Sequence, residues 1–164
     1  MSQLNNLYLG KAGEFLVMSH FLMRGWNVAV PEVDRGDDIF VIEDAKGISY
    51  RIQVKTATAT DRLNNYSGQF KIPLSQLEKP IEPEIYYVFV VCRNLQWSNR
   101  IIIRRKYLFD LYRDLNVGTA TEKYLTVYFS FENDKMTQKL KVTCSDVDIS
   151  EYVENFNDFP IIHH

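Results

Sequence analysis

Arg51-Ile52-Gln53-Val54-Lys55-Thr56-Ala57 is the stretch on which the reading of this chain turns. Its β-branched and apolar residues predict a strand over 48–57, and strand side chains alternate between two faces. Ile52, Val54 and Thr56 therefore share one face, while Gln53 and Lys55 share the other. An amide and an ammonium two residues apart are ordinary on a solvated strand. Here a long helical pattern precedes the strand and a very apolar strand follows it, so it is expected inside a sheet. An unpaired ammonium is costly in that setting. A lysine held there implies a partner or a task.

Just upstream, residues 38–43 alternate as another strand, and Asp44-Ala45-Lys46-Gly47 supplies the turn of a hairpin. With the turn centred on 44–47, Glu43 faces Ile48 and Asp38 falls opposite Gln53. Asp38 then points to the Gln53–Lys55 face and Asp37 to the other; a slip of one residue reverses that choice. Residues 26–31 read as a short strand and Asp34-Arg35-Gly36-Asp37 as a turn. Residues 4–24 read as a helix: Leu4, Leu7, Tyr8, Phe15, Leu16, Val17, Phe21 and Leu22 recur at three- and four-residue steps before Gly25 stops it. Gly10 and Gly13 interrupt it at about 1 kcal/mol each relative to Ala, which implies that something approaches the helix backbone closely there. Glu14 beside them is a rim carboxylate or, if the helix packs over the hairpin, a neighbour of Asp38.

Downstream, residues 68–72 suggest a short strand and 73–77 a brief helix. The run 84–93 is the most apolar strand and is expected at the centre of the sheet. A strand over 100–105, a helix over 106–115 and a hairpin of 123–132 with 135–143 around Asn133-Asp134 follow. Ser150 is placed to cap a last short helix carrying Tyr152, Val153 and Phe156. The order predicts one α/β (α+β) domain over residues 1–164 with a mixed sheet flanked by helices.

The 164 residues are 46% hydrophobic, with ten Tyr and ten Phe, enough for one substantial core. No apolar run approaches a membrane span, and no leader pattern opens the chain, so the expected location is cytoplasmic and no membrane partner is expected. Cys92 and Cys144 stand apart, without metal-ligand spacing, and read as reduced core residues. Three histidines, two of them at positions 163 and 164, do not make a zinc site. A net charge of -2 does not advertise a nucleic-acid binder, although carboxylates gathered for a metal would lower the sum.

Two carboxylates, an amide oxygen and a lysine on converging elements suit phosphodiester hydrolysis. Hard oxygen donors hold Mg²⁺ or Mn²⁺, which also binds phosphate, and a lysine can stabilise the charge that grows on it. The alternative is plainer: a cross-strand Lys55–Asp38 ion pair, a helix-surface Glu14 and a silent Gln53.

Gly10-Lys11-Ala12-Gly13-Glu14, then Arg35-Gly36-Asp37-Asp38-Ile39, then Ile52-Gln53-Val54-Lys55-Thr56 together resemble the PD-(D/E)XK nuclease superfamily. That superfamily contains restriction endonucleases, archaeal Holliday-junction resolvases and some intron homing endonucleases. The resemblance implies a restriction-endonuclease-like core in the order α-β-β-β-α-β, here with a C-terminal hairpin and short helix added. It implies Glu14 as the helix-borne carboxylate, Asp38 as the metal-binding aspartate, Gln53 as a third ligand and Lys55 as the catalytic lysine. The chain departs from the common pattern in having no proline before Asp38 and in carrying Gln53 where an acid is usual, as some resolvase-like and homing-endonuclease-like branches do. The expected partner is DNA, possibly branched, and the expected state is a homodimer or tetramer able to cut two strands. Residues expected to touch nucleic acid are Lys11, Thr56, Arg62, Arg104 and Arg105. The basic run Arg100, Arg104, Arg105 and Lys106 equally suits a strand edge that discourages aggregation. The polar segment through Thr58, Thr60, Asn64, Asn65 and Tyr66 reads as an exposed connection.

Overall fold

Apolar residues at helical spacing drive the first element of the computed structural model, helix α1 (Gln3–Met23), which buries Val17 and Phe21. The helix ends as its glycine stop predicts: Gly25 takes φ +82, its N–H reaches Leu22 O, and Trp26 N–H returns to Phe21 O. The structure describes residues 3–33, 36–63, 65–133 and 139–163, with side chains from residue 6. The turn residues Asp34, Arg35 and Asp134, as well as Asn64, Lys135, His164 and the Leu4 side chain, lie outside the described residues.

After α1 come β1 (Asn27–Ala29), β2 (Ile39–Glu43) and β3 (Ile48–Thr58). Next are β4 (Thr60–Asp61), β5 (Asn65–Pro73) and the short α2 (Leu74–Glu78). The chain continues through β6 (Ile85–Arg93), β7 (Gln96–Trp97), β8 (Ile101–Arg104) and α3 (Arg105–Leu115). It closes with β9 (Thr119–Ala120), β10 (Tyr124–Asn133), β11 (Leu140–Cys144), β12 (Val147–Asp148) and a 3₁₀ turn at Ser150–Tyr152.

The first sheet runs β1-β2-β3-β6, with β7 and β8 both pairing with β6. Its first three strands are an antiparallel meander, β3 and β6 are parallel, and β8 returns antiparallel. The hairpin register is the expected one, with Glu43 opposite Ile48 and Ile39 opposite Ile52. Eight of the nine β6 residues are buried, which is why its apolarity is continuous rather than alternating.

The second sheet, β12-β11-β10-β5-β4 with β9 on β10, was not anticipated. Its β5 reaches back through residues expected to be an exposed connection. Asn65 pairs with Glu132, and the Tyr66 ring stacks on Phe131 at 4.8 Å. The outward side of β5 is polar and the inward side buries Gly68, Phe70 and Ile72, so the strand is half-solvated.

Two cores result. One lies between α1 and the first sheet and contains Val17, Phe21, Trp26, Ile39, Ile52, Val54 and Phe159. The other fills the space between the sheets with Phe70, Ile72, Tyr87, Phe89, Leu125, Val127 and Phe129. Cys92 and Cys144 are free and buried, and burial pushes the Cys144 thiol up to about 11.

The C-terminal segment straps over the first core. Phe159 is fully buried, Trp26 Nε1 donates to Pro160 O, and Arg24 Nε donates to Phe159 O. The expected last helix is thus a single 3₁₀ turn followed by this strap. Ser150 does not cap it: its hydroxyl accepts from Val142 N–H of β11 instead, which a strand edge offers and the turn does not need. No helix among the described residues is long and apolar enough to cross a membrane.

Candidate active site

The meander and α1 converge because α1 lies almost directly on β3. A Cβ at Gly13 would stand 2.0 Å from Thr56 Cγ2, a distance no side chain tolerates, so only glycine permits this approach. The interruption read in the helix sequence thus has a physical partner, the Thr56 methyl. Thr56 serves packing under α1, on the same face of β3 as Ile52 and Val54.

At the mouth of the hairpin, Asp38 donates its backbone N–H to Ile52 O and turns its carboxylate onto β3. Its Oδ2 accepts from Gln53 Nε2 at 2.5 Å and from the Val54 N–H at 2.7 Å. Both donors are neutral, so the carboxylate is fixed in place without its charge being cancelled by them. Asp37 meets a different fate. Its Oδ2 accepts from Arg51 Nη2 at 2.5 Å, and the side chains are only 5% and 17% exposed. Strand alternation had assigned Asp37 to the other side, but residues 36–38 precede β2 and are not bound by its alternation. Asp37 Oδ1 and Arg51 Nε are buried without a hydrogen-bond partner among the described residues.

Behind Gln53 runs a chain of neutral groups that sequence reasoning did not find. Tyr87 OH donates to Gln76 Oε1 at 2.9 Å, and Gln76 Nε2 reaches Gln53 Oε1 at 3.3 Å and the carbonyl of Gly36. Tyr87 is fully buried and burial raises its pKa, so its hydroxyl stays a proton donor. Gly36, at φ +94, is required twice: a Cβ there would also stand 2.6 Å from Gln76 Nε2. Gly36 was the one visible signal, as part of the Arg35-Gly36-Asp37-Asp38 run. Gln76 sits in α2 and Tyr87 in β6, and neither stood out among its neighbours.

Glu14, one residue beyond the Gly13 contact, is partly buried and takes a 2.5 Å ion pair from Lys11 Nζ. The hydrogen bond and charge of Glu14 raise the Lys11 pKa, and Asp38 adds to the effect, so Lys11 lies within the electrostatic reach of both carboxylates. Lys55 is half-buried, two residues past Gln53 on β3 and level with Phe89 of β6. Among the described residues no three His, Cys, Asp or Glu side chains group as a metal cage. Glu14, Asp38 and the Gln53 amide oxygen nevertheless offer the hard oxygen donors that Mg²⁺ or Mn²⁺ takes while keeping several waters. Gln53 would have to turn its amide, bringing Oε1 where Nε2 now meets Asp38. In donor type the three side chains suit such an ion.

The basic run in β8 and α3 does not form one patch. Arg104 pairs with Asp158 through Nη2 at 2.6 Å and Nε at 3.1 Å. Arg100 pairs with Glu154 at 2.7 Å. Arg105 is 5% exposed, bound to Glu84 and to the carbonyl of Leu77. The expectation that Arg105 contacts nucleic acid is therefore corrected: its guanidinium closes the α2–α3 junction inside the fold. Arg62 is exposed between β4 and β5.

No protein-family model matches the chain, and no curated protein matches it. Among solved structures, the fold is similar to that of a bacterial homing endonuclease, I-Ssp6803I, with a TM-score of 0.51 at 14% identity, over 90% of this chain and 86% of that one. The chain thus has a nuclease-like mixed α/β fold, and Asp38, Gln53 and Lys55 lie where its helix-backed meander meets the neighbouring parallel strand.

Proposed function

We propose that this chain is an endonuclease that hydrolyses DNA phosphodiester bonds with the help of Mg²⁺ or Mn²⁺. The observation that carries the reading is the Asp38 carboxylate held by two neutral donors, Gln53 Nε2 and Val54 N–H, on the strand that also bears Lys55. This brings a carboxylate, an amide and a lysine-bearing strand together at the open end of the hairpin. The similarity of fold to a homing endonuclease supports the same reading.

In this account Asp38, Glu14 and the turned Gln53 amide hold the ion. When bound, the ion supplies Lewis-acid stabilisation of the phosphate and lowers the pKa of a water. Lys55 faces the charge that develops on the phosphate oxygens, where a fixed cation in a partly dry site is most effective. Gln76 Nε2 now donates to Gln53 Oε1, so turning the Gln53 amide requires the Gln76 amide to turn with it, its Oε1 then accepting from Gln53 Nε2. Lys11 releases Glu14 on loading and turns to a backbone phosphate of the substrate.

Incubation of the protein with linear, supercoiled and branched DNA in Mg²⁺ or Mn²⁺ tests this. Ion-dependent cleavage that Lys55→Ala abolishes is expected; no cleavage of any form, or cleavage unchanged in Lys55→Ala, overturns it. A second reading, a non-cutting nucleic-acid-binding or protein-interaction module, is favoured by one observation. Glu14 and Asp38 already have protein donors, from Lys11 and from Gln53 with Val54. Calorimetry showing no Mn²⁺ uptake with or without DNA would select it.

A further inference from the structure

A surface helix ordinarily carries one apolar stripe, turned to the core. Helix α1 carries two. Its inner side, Gly13, Val17 and Phe21, is buried on the first sheet. Its outer side presents Leu7, Tyr8, Phe15, Leu22 and Met23 at 54–80% exposure. Between residues 6 and 23 the charged residues are Lys11 and Glu14, which pair with each other. At roughly 200 Å² for a large side chain, these five residues expose on the order of 650 Å², more than the few hundred Å² ordinary for a monomer's largest patch.

We infer that this face of α1 is the interface of a symmetric homodimer in which two copies of the helix pack antiparallel. Three observations choose a second copy as the occupant. Tyr8, Phe15 and Leu22 recur every seven residues, the spacing that keeps one side of a helix against a partner helix. Phe15 is midway, so a two-fold axis beside it sets Tyr8 against Leu22 and Phe15 against Phe15.

The two ends of the stripe are also unlike and complementary. Beside Tyr8 lies a groove of about 540 Å³ lined by Leu9, Ala12, Thr58, Cys92 and Leu95. At the other end Leu22 and Met23 protrude, Met23 at 80% exposure. Antiparallel packing puts the protruding end of each copy over the groove of the other. The exposed area of the stripe, with the groove and its rim at Leu95 added, approaches the ~800 Å² per partner of a standard interface. Glu14 directly precedes Phe15 and Lys11 lies one turn before it, its Nζ 5.9 Å from the ring centroid, so the same axis would set the two candidate sites in fixed relation.

Sedimentation velocity over a micromolar concentration series tests the inference without reference to cleavage, so the two readings can fail separately. The wild type is expected to be a dimer. Phe15→Glu, which sets two carboxylates together on the axis, is expected to weaken dimerisation at least about 100-fold, with a denaturation midpoint that matches the wild type's once that is diluted to monomer. Tyr128→Glu, at a site 53% exposed on the outer side of β10, should leave the dimer intact. A wild type that stays monomeric, or a Phe15→Glu protein that stays dimeric, overturns the inference. Orientation is read by oxidising mixed Tyr8→Cys and Leu22→Cys chains: cross-links between the two variants support the antiparallel arrangement, and Tyr8→Cys pairs alone overturn it.

Discussion

The two faces of β3 are made from the same eleven residues and serve opposite ends. Under α1 the strand presents Ile52, Val54 and Thr56 to a dry core and to a glycine gap in the helix. On the other face Arg51 and Gln53 meet charge and amide groups from the β2 approach and α2, and Lys55 follows them on the same side. The first face fixes where α1 sits and so where Glu14 sits; the second fixes the aspartates. Within the second face the contrast repeats at shorter range. Asp37 is neutralised by Arg51 in a buried pair, while Asp38, one residue on, is held by an amide and a backbone N–H. Adjacent carboxylates thereby take different partners, one a buried guanidinium and the other an amide and a backbone N–H of β3.

The sharpest break is aimed at the closed pair. Asp37→Ala strands a mostly buried Arg51 guanidinium and should cost about 3–5 kcal/mol in urea denaturation, whereas the double change with Arg51→Met should recover much of that loss. Asp38→Ala should do the reverse, leaving stability less affected and lowering DNA cleavage by about 100-fold or more at saturating Mg²⁺. Equal effects of the two aspartates on both readouts would erase the contrast.

On the dry face, Gly13→Ala should cost about 1–3 kcal/mol by overpacking against Thr56. Thr56→Ser, which removes the methyl that the new Cβ would strike, should restore most of it; additivity of the two changes would deny the contact. Gln53→Glu sharpens the polar face. It replaces the amide donor to Asp38 by a second negative charge, so the melting temperature should fall without divalent ions and rise on adding Mg²⁺ by more than the wild type's does. A variant insensitive to Mg²⁺ would mean that no cation enters there.

The smallest effect expected is a pH slope where α1 meets the C-terminal strap. Burial, followed by the nearby Arg100, lowers the pKa of His20, with Glu154 opposing and Arg24 adding to the lowering. A depressed pKa in the fold means that stability is whole above the ordinary imidazole range near 6.5 and declines as pH falls below it. His20→Gln should flatten that decline between neutral and mildly acidic pH, as read by denaturation midpoints.

What was legible in the sequence was local. Alternation in 51–57, turn chemistry at 44–47 and glycine at position 13 suffice for β3, its register and the close approach of α1. Groups whose meaning depends on distant partners were not legible. Arg105 reads as surface charge until Glu84 and the Leu77 carbonyl are placed beside it. Gln76 and Tyr87 are unremarked residues until α2 and β6 bring them behind Gln53. The second sheet escaped because Ser67, Gln69 and Lys71 alternate with buried residues, so half of β5 carries a loop's composition.

The claim at the centre is that Asp38 and Glu14 share one divalent ion with the amide oxygen of Gln53. A crystal grown or soaked with Mn²⁺ tests it most directly, through anomalous scattering. The account predicts a single peak in contact with Asp38 and Glu14, with the Gln53 amide turned so that Oε1 faces it and Lys11 withdrawn from Glu14. Asp38 still bonded to Gln53 Nε2, with no peak beside it at saturating Mn²⁺, would contradict the account.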